Sequence, residues 1–159
     1  MDRPTIMLLG AVCTGALVTT AIMAPAQATD RTARTDSHRV IELDVGNDKV
    51  VHSDVGKHGL SIGDEFIYTD LLSRDGHRVG KDGSSCQVTD LEGDRTTTSC
   101  VLSVQLPDGQ LTAQSLWTKG SSTVRMAITG GTDAYRGASG ELTCRDIQTP
   151  HETYRISLD

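Results

Sequence analysis

The amino-acid sequence predicts an all-β domain, and within that class an eight-stranded antiparallel up-and-down β-barrel. From residue 38 onward, eight runs of β-forming residues alternate with turn residues, and no segment keeps a helical period. Most connections are short, and Asp-Gly dipeptides at Asp75-Gly76, Asp82-Gly83 and Asp108-Gly109 favour tight hairpins. A two-sheet sandwich is the alternative, because the number of strands alone does not separate the two architectures.

The predicted strands are Arg39–Val45, Glu65–Leu72, Arg78–Asp90, Thr96–Gln105, Gln110–Trp117, Thr123–Thr129, Glu141–Ile147 and Glu152–Leu158. A short helical turn is also predicted near Val55–Leu60.

Residues 1–28 have the pattern of a secretory signal peptide. An apolar run from Ile6 to Ala24 precedes Ala26-Gln27-Ala28, whose small residues fit a signal-peptidase site. An uncleaved membrane anchor is the alternative, since the run approaches the length that spans a bilayer. Residues 29–37 are polar and predicted to form a flexible arm, which leaves 38–159 as the barrel domain. The expected location is extracellular.

The chain is acidic, with a net charge of −6. The predicted signal peptide contains one Arg and one Asp, so its removal leaves that charge unchanged. Nucleic-acid binding is not expected, because it needs a basic surface. Membrane binding after signal cleavage is not expected either, because no second apolar span or basic amphipathic helix is present.

Three cysteines follow the predicted signal peptide, namely Cys86, Cys100 and Cys144. Cys86 and Cys100 are equally far from Gly93, so a hairpin that turns there would place them opposite each other on two strands. We therefore predict a Cys86–Cys100 disulfide. A bond from either of them to Cys144 is the alternative, and an unbonded Cys144 is expected to be a small buried apolar residue.

Two short motifs are rejected as functional sites. Gly59–Gly63 matches the G-x-S-x-G pattern of a nucleophile elbow, but the residues that follow it predict a strand rather than the required helix. His52, Asp54 and His58 lack a third ligand at a suitable spacing, so no metal site is predicted. No phosphate-binding or dinucleotide-binding loop is present, and no cofactor is expected.

Alternating polar and aromatic residues supply the candidate site. Glu42 and Asp44 project to one face of the first predicted strand, and Phe66, Tyr68 and Asp70 share a face of the second. A carboxylate enclosed beside aromatic rings would have a raised pKa, which suits general acid or base chemistry. The alternative is that these carboxylates face water on the outside of the barrel.

The glycine-rich segment Ile128–Glu141 resembles the signature loop of the allene oxide cyclase-like and dirigent-like β-barrels. This resemblance implies a calycin-like barrel of eight antiparallel strands around a small-molecule cavity. Val40–Asp44 is similar to the first strand of that family, where a Glu and an Asn face the pocket. The corresponding residues here are Glu42 and Asp44, and Asp70 stands where the plant enzymes have Asn.

Other segments extend the resemblance. Val79–Cys86 is similar to a run that ends in a pocket Cys, and Ala113–Trp117 to one that ends in a pocket Tyr, while Tyr68 replaces a lining Phe. Dirigent proteins usually have Arg at the position of Ser139, so their radical-coupling chemistry is not expected. A disulfide at Cys86 would also remove the pocket thiol.

The resemblance implies a secreted barrel that binds an apolar small molecule and acts as a cofactor-independent cyclase or isomerase. The predicted catalytic residues are Glu42, Asp44 and Asp70, and the predicted ligand-binding residues are Phe66, Tyr68 and Trp117. A non-catalytic carrier of a lipid or metabolite is an alternative, as is a structural barrel filled by its own side chains. Relatives imply a homodimer or a homotrimer.

Overall fold

A computed structural model describes residues 39–159, which form a closed barrel of eight antiparallel strands. Each strand pairs with its neighbours in sequence, and the last strand closes the barrel against the first. This confirms the predicted fold class and excludes the sandwich. The predicted signal peptide and arm lie outside the described residues.

The strands are β1 Arg39–Ser53, β2 Glu65–Arg74, β3 His77–Glu92, β4 Arg95–Leu106, β5 Gly109–Thr118, β6 Thr123–Gly131, β7 Gly140–Arg145 and β8 Thr153–Leu158, with one 3₁₀ turn at Asp133–Tyr135. Among these described residues, no helix combines the length and apolar character needed to cross a bilayer.

Two local predictions are wrong. Residues 55–60 form bends rather than a helical turn, because the buried Asp64 carboxylate accepts hydrogen bonds from the backbone amides of Val55 and Ser61, each at 2.9 Å. Asp82-Gly83 lies inside β3 and not in a turn, and the Asp82 side chain points into the barrel. An Asp-Gly pair favours a turn only where nothing buries the Asp, and here the interior holds it.

Aliphatic side chains fill much of the barrel interior. Alternate residues of each strand point inward, as the two-residue period of a strand requires. The largest aliphatic side chains among the fully buried ones are Leu72, Val88, Val104, Leu111, Leu142 and Ile156. None of these six residues lines the cavity described below. The barrel interior is therefore partly filled by its own side chains and partly open.

The predicted disulfide is present between Cys86 and Cys100, which are directly paired across β3 and β4. The hairpin turns at Gly93, as the spacing of the cysteines predicts. Cys144 is a free, buried thiol. A bond of fixed geometry therefore links two adjacent strands within the wall of the barrel.

Candidate functional site

A cavity occupies the part of the barrel that is not filled by aliphatic side chains. Its volume is about 580 Å³ with the region open to solvent included. The wall is mostly apolar, with a small polar group of side chains on one side. The residues that carry the site's chemistry are Asn47, Tyr68, Asp70, Trp117, Glu152 and Tyr154. Such a mixture is typical of small-molecule sites.

Asp70 lies in this cavity, on the inner face of β2, and is 7% exposed. A bulge in β1 between Asn47 and Lys49 turns the backbone amide of Asp48 toward it, and that amide donates to Asp70 Oδ1 at 3.3 Å. Burial, and after it the negative charges of Asp82 and Glu152, together raise the pKa of Asp70 to about 7. Asp70 is therefore half protonated near neutral pH.

Asp82 lies next to Asp70 but does not line the cavity itself. Its Oδ1 accepts a 3.2 Å hydrogen bond from the Asp70 backbone amide, and its Oδ2 has no hydrogen-bond partner. Burial raises its pKa to about 6, while the nearby Tyr154 hydroxyl lowers it. The Tyr154 hydroxyl thus favours the ionised Asp82 without reaching hydrogen-bond geometry to Oδ2, which remains unsatisfied.

Glu152 is the third buried carboxyl of the cluster and is 5% exposed. It lies at the end of the loop that joins β7 to β8. Its Oε2 accepts hydrogen bonds from Asn47 Nδ2 at 2.9 Å and from the Gln148 amide at 2.6 Å. Gln148 has a positive φ of 60°, a strained conformation for a residue with a side chain. The loop is therefore shaped to hold the Glu152 carboxylate in the cavity wall.

Two weak acids complete the polar side of the cavity. Burial raises the pKa of the Tyr154 hydroxyl well above its ordinary value, and the Asp82 charge adds to this. Burial also raises the pKa of the Cys144 thiol, with Glu152 contributing in the same direction. Both groups therefore stay protonated, so Tyr154 can donate a hydrogen bond to a ligand and Cys144 is not an activated nucleophile.

The predicted aromatic residues are all buried, and two of the three line the cavity. Tyr68 and Trp117 are in its wall, and the Trp117 indole is held by a 3.2 Å hydrogen bond to the Ser121 carbonyl. Phe66 does not line the cavity. Its ring stacks on His52 with centroids 4.6 Å apart, and the Lys119 ammonium lies 3.9 Å from its centroid. Phe66, His52 and Lys119 therefore form a rim beside the aromatic wall of the cavity.

Glu42 and Asp44 lie on the outside of the barrel, so their predicted inward placement is wrong. The buried residues of β1 are Ile41, Leu43 and Val45, and the residues between them must face solvent. Glu42 is 70% exposed in its side chain and forms a surface ion pair with Arg155. Neither carboxylate lines the cavity, and of the three predicted catalytic residues only Asp70 does.

Four important residues were missed, namely Asp82, Lys119, Glu152 and Tyr154. A usable signal exists for three of them. Glu152 and Tyr154 lie at two-residue spacing from Ile156 and Leu158, so all four share the face that these apolar residues mark as the core face. Asp82 likewise lies on the same face of β3 as the buried Cys86 and Val88, because even numbers of residues separate them. Lys119 lies in a loop, where no period indicates its direction.

Within residues 39–159, no group of three or more potential ligands is arranged to hold a metal ion. The three carboxyls instead accept hydrogen bonds from backbone or side-chain donors.

Residues 39–158 match the allene oxide cyclase barrel like domain family, so the chain belongs to this family. Several solved structures share the fold. A pyocyanin demethylase is 41% identical, with a TM-score of 0.71 over 76% of this chain and 100% of that chain. The exo-specific intermolecular Diels-Alderase AbnU is 21% identical, with a TM-score of 0.60 over 77% and 98%. A pterocarpan synthase dirigent protein is 18% identical, with a TM-score of 0.57 over 76% and 88%.

The Diels-Alderase and the dirigent protein support the fold alone at these identities. The search of curated proteins found no match.

Proposed function

We propose that the protein binds a flat, N-methylated aromatic heterocycle of the phenazine type in its barrel cavity and removes the methyl group. The observation that carries this proposal is the buried cluster of Asp70, Asp82 and Glu152 beside the aromatic wall of Tyr68 and Trp117. The 41% identity to a pyocyanin demethylase supports the same substrate class.

Charge favours such a ligand over a wholly apolar one. Three carboxyls lie close enough for Asp82 and Glu152 to raise the pKa of Asp70. An apolar ligand would remove water from them and increase their mutual repulsion, whereas a ring with a positive nitrogen would relieve it. The expectation of an apolar ligand is therefore replaced in this proposal by a ligand with a cationic ring.

The reaction balances with water as the only co-reactant. The methyl group of an N-methylphenazinium ring loses a proton, and the electron pair of that C–H bond enters the ring. Protonation of the ring leaves an N=CH₂ iminium, to which water adds. Water addition releases a proton and gives an N–CH₂OH group. The carbon–nitrogen bond then breaks as the hydroxyl proton passes to the ring nitrogen, formaldehyde leaves, and the demethylated ring keeps the two electrons in its reduced form. The ring is the electron acceptor, so the proposal names no cofactor.

Asp70 is the residue we assign to proton transfer. It lines the cavity, and its pKa of about 7 lets it accept and return a proton near neutral pH. Glu152, held by Asn47 and the Gln148 amide, supplies a fixed negative charge near the ring nitrogen. Tyr154, whose hydroxyl stays protonated, is a hydrogen-bond donor to the substrate.

Secretion is part of the proposal. The Cys86–Cys100 disulfide is stable in an oxidising compartment and uncommon in a reducing one. An extracellular demethylase would meet a diffusible substrate outside the cell. Secretion is tested by locating the protein in culture medium and sequencing its N-terminus, which is expected to begin after residue 28.

The catalytic test uses pyocyanin, an N-methylated phenazine, under anaerobic conditions so that a reduced product persists. Equal amounts of formaldehyde and reduced demethylated phenazine are expected from the wild-type protein. Asp70→Asn is expected to lower the rate by about 100-fold or more, in the range of general acid–base groups. Glu42→Gln, on the outer surface, is the matched control and is expected to keep full activity.

The other outcomes have clear meanings. Binding of pyocyanin without formaldehyde would identify a carrier rather than an enzyme. A lack of binding would show that the substrate class is wrong. Equal losses from Asp70→Asn and Glu42→Gln would show that the cavity cluster does not carry the chemistry.

A further inference from the structure

Lys119 is a cation at the rim of the cavity. It follows β5, and its backbone amide is fixed by a 2.9 Å hydrogen bond to the Thr96 carbonyl. The side chain is half-buried, with the ammonium 3.9 Å from the Phe66 ring centroid and 3.4 Å from the Tyr68 hydroxyl. Because Tyr68 lines the cavity, the ammonium lies within reach of a ligand placed there.

The ammonium has no anionic partner in the described part of the chain. None of the salt bridges within residues 39–159 includes Lys119, although other Lys and Arg residues form them. Its one hydrogen bond goes to Tyr68, and burial together with the Asp70 charge raises the pKa of that phenol, so it remains neutral. A half-buried ammonium whose contacts are a neutral hydroxyl and a ring lacks a counter-ion.

The cation and the carboxyls lie at different depths. Phe66, Tyr68 and Asp70 follow one another on the inner face of β2, and each step of two residues advances about 7 Å along a strand. Lys119 contacts the first two of these residues, while the carboxyl cluster begins at Asp70. Along β2, the site is therefore positive beside Phe66 and Tyr68 and negative from Asp70 onward.

We propose that Lys119 makes the site selective for dipolar ligands by binding an anionic oxygen, a phenolate or a carboxylate, on the part of the ring system nearest the rim. This inference rests on the proposed function and adds to it the charge pattern of the substrate. The cationic nitrogen lies toward the carboxyl cluster, and the anionic oxygen lies toward the ammonium. Lys119 is thus a specificity-determining residue.

The test compares two ligands that share the N-methylated ring and differ in the oxygen. Pyocyanin carries the oxygen as a phenolate, and N-methylphenazinium lacks it. A charge-assisted hydrogen bond to this oxygen is expected to make the wild-type protein bind pyocyanin about 10- to 100-fold more tightly. Lys119→Met keeps the apolar stem over Phe66 and removes the charge, so it is expected to weaken pyocyanin binding by that factor while leaving N-methylphenazinium binding nearly unchanged.

Two further variants separate charge from structure. Lys119→Arg is expected to retain most of the preference for pyocyanin, since it restores a cation. Lys81→Met, which removes an exposed lysine of β3, is expected to change neither affinity. Equal weakening of both ligands by Lys119→Met would overturn the inference, because it would indicate a structural role. Wild-type binding of both ligands with equal affinity would also overturn it and leave the proposed function intact, whereas failure to bind either ligand would overturn both.

Discussion

The backbone amide of Asp70 donates a hydrogen bond to the side chain of Asp82 at 3.2 Å, where a backbone carbonyl would ordinarily accept it. The regular pairing of β2 with β3 is interrupted at this place, between the pairs Tyr68–Ser84 and Leu71–Lys81. The Asp82 carboxylate replaces the missing ladder acceptor and is thereby drawn into the barrel beside the Asp70 carboxyl. One backbone detail thus brings two acidic groups together in a space of low dielectric constant.

This pairing predicts a stability that decreases with rising pH. The pKa values of Asp70 and Asp82 are raised to about 7 and about 6 from 3.8, so above pH 3.8 the folded state keeps protons that the unfolded state has released. The free energy of unfolding is expected to be highest at the low end of this window and to fall by several kcal/mol as the pH rises to about 7; solvent screening of Asp70, which lines the open cavity, keeps this below the roughly 7 kcal/mol that the two full shifts would give. Urea unfolding measured between pH 4.5 and pH 8 checks this.

Asp82→Asn tests whether the buried Asp82 charge causes this pH dependence of the free energy of unfolding. The amide keeps an oxygen for the Asp70 amide proton and removes the buried charge. We expect Asp82→Asn to flatten the pH dependence and to raise the free energy of unfolding at pH 8 by about 1–3 kcal/mol. Glu42→Gln, which removes an exposed carboxylate, is expected to change neither quantity. An unfolding free energy that rises with pH across the window would contradict the assignment.

The same carboxyls predict how turnover depends on pH. If Asp70 accepts a proton from the substrate methyl group, its ionised form is the active one, so kcat/KM for pyocyanin is expected to rise through an apparent pKa near 7. Asp82→Asn removes a negative charge that raises the pKa of Asp70, so it is expected to move the midpoint of the profile to lower pH. A profile that does not change in Asp82→Asn would show that the two groups do not act together.

The sequence predicts the barrel well because each strand carries its own signal. Alternating residues, Asp-Gly turns and the symmetric cysteines are all local, and the closed barrel follows from eight such strands with short connections. The Cys86–Cys100 pairing also lies within one hairpin, but the turn alone does not determine it. The turn pairs Glu92 with Arg95, and a bulge between Val88 and Asp90 shifts the register by one residue, which places Cys86 opposite Cys100.

The site was harder to predict because alternation gives two faces and does not say which is inside. On β1, the apolar residues Ile41, Leu43 and Val45 identify the inner face, and they face the opposite way from Glu42 despite its resemblance to a pocket residue of the family. The strand period indicates that Asp82 points inward, but its hydrogen bond to the Asp70 amide depends on an interrupted strand pairing. The position of Lys119 depends on a loop that brings its ammonium over the Phe66 ring. Such features depend on contacts between elements distant in sequence.

The disulfide is expected to contribute to stability through the unfolded state. It links residues 14 apart in sequence, and closing a loop of this size stabilises the fold by about 3 kcal/mol. Reduction by dithiothreitol is therefore expected to lower the free energy of unfolding by about 2–4 kcal/mol. Cys144→Ala removes the free thiol and is the control, because its loss on reduction should equal that of the wild type. A smaller loss in Cys144→Ala would indicate that Cys144 exchanges with the disulfide.

The glycine-rich loop predicts a sharp contrast between two of its glycines. Gly140 has a φ of +132°, and a Cβ there would clash with the Ser157 carbonyl oxygen of the paired strand. Gly137 also has a positive φ, +73°, but a Cβ there would have no heavy atom within 4 Å. Both substitutions to Ala carry the backbone cost, and the Gly140→Ala change adds a clash with backbone that cannot rotate away.

We therefore expect Gly137→Ala to cost about 1 kcal/mol and Gly140→Ala to cost about 3 kcal/mol or more, or to prevent closure of β7 against β8. Denaturant unfolding of the two variants measures the difference, and circular dichroism shows whether the Gly140→Ala chain still forms the sheet. Equal costs at the two positions would mean that φ alone determines them, and that β7 and β8 have room to move apart at Gly140.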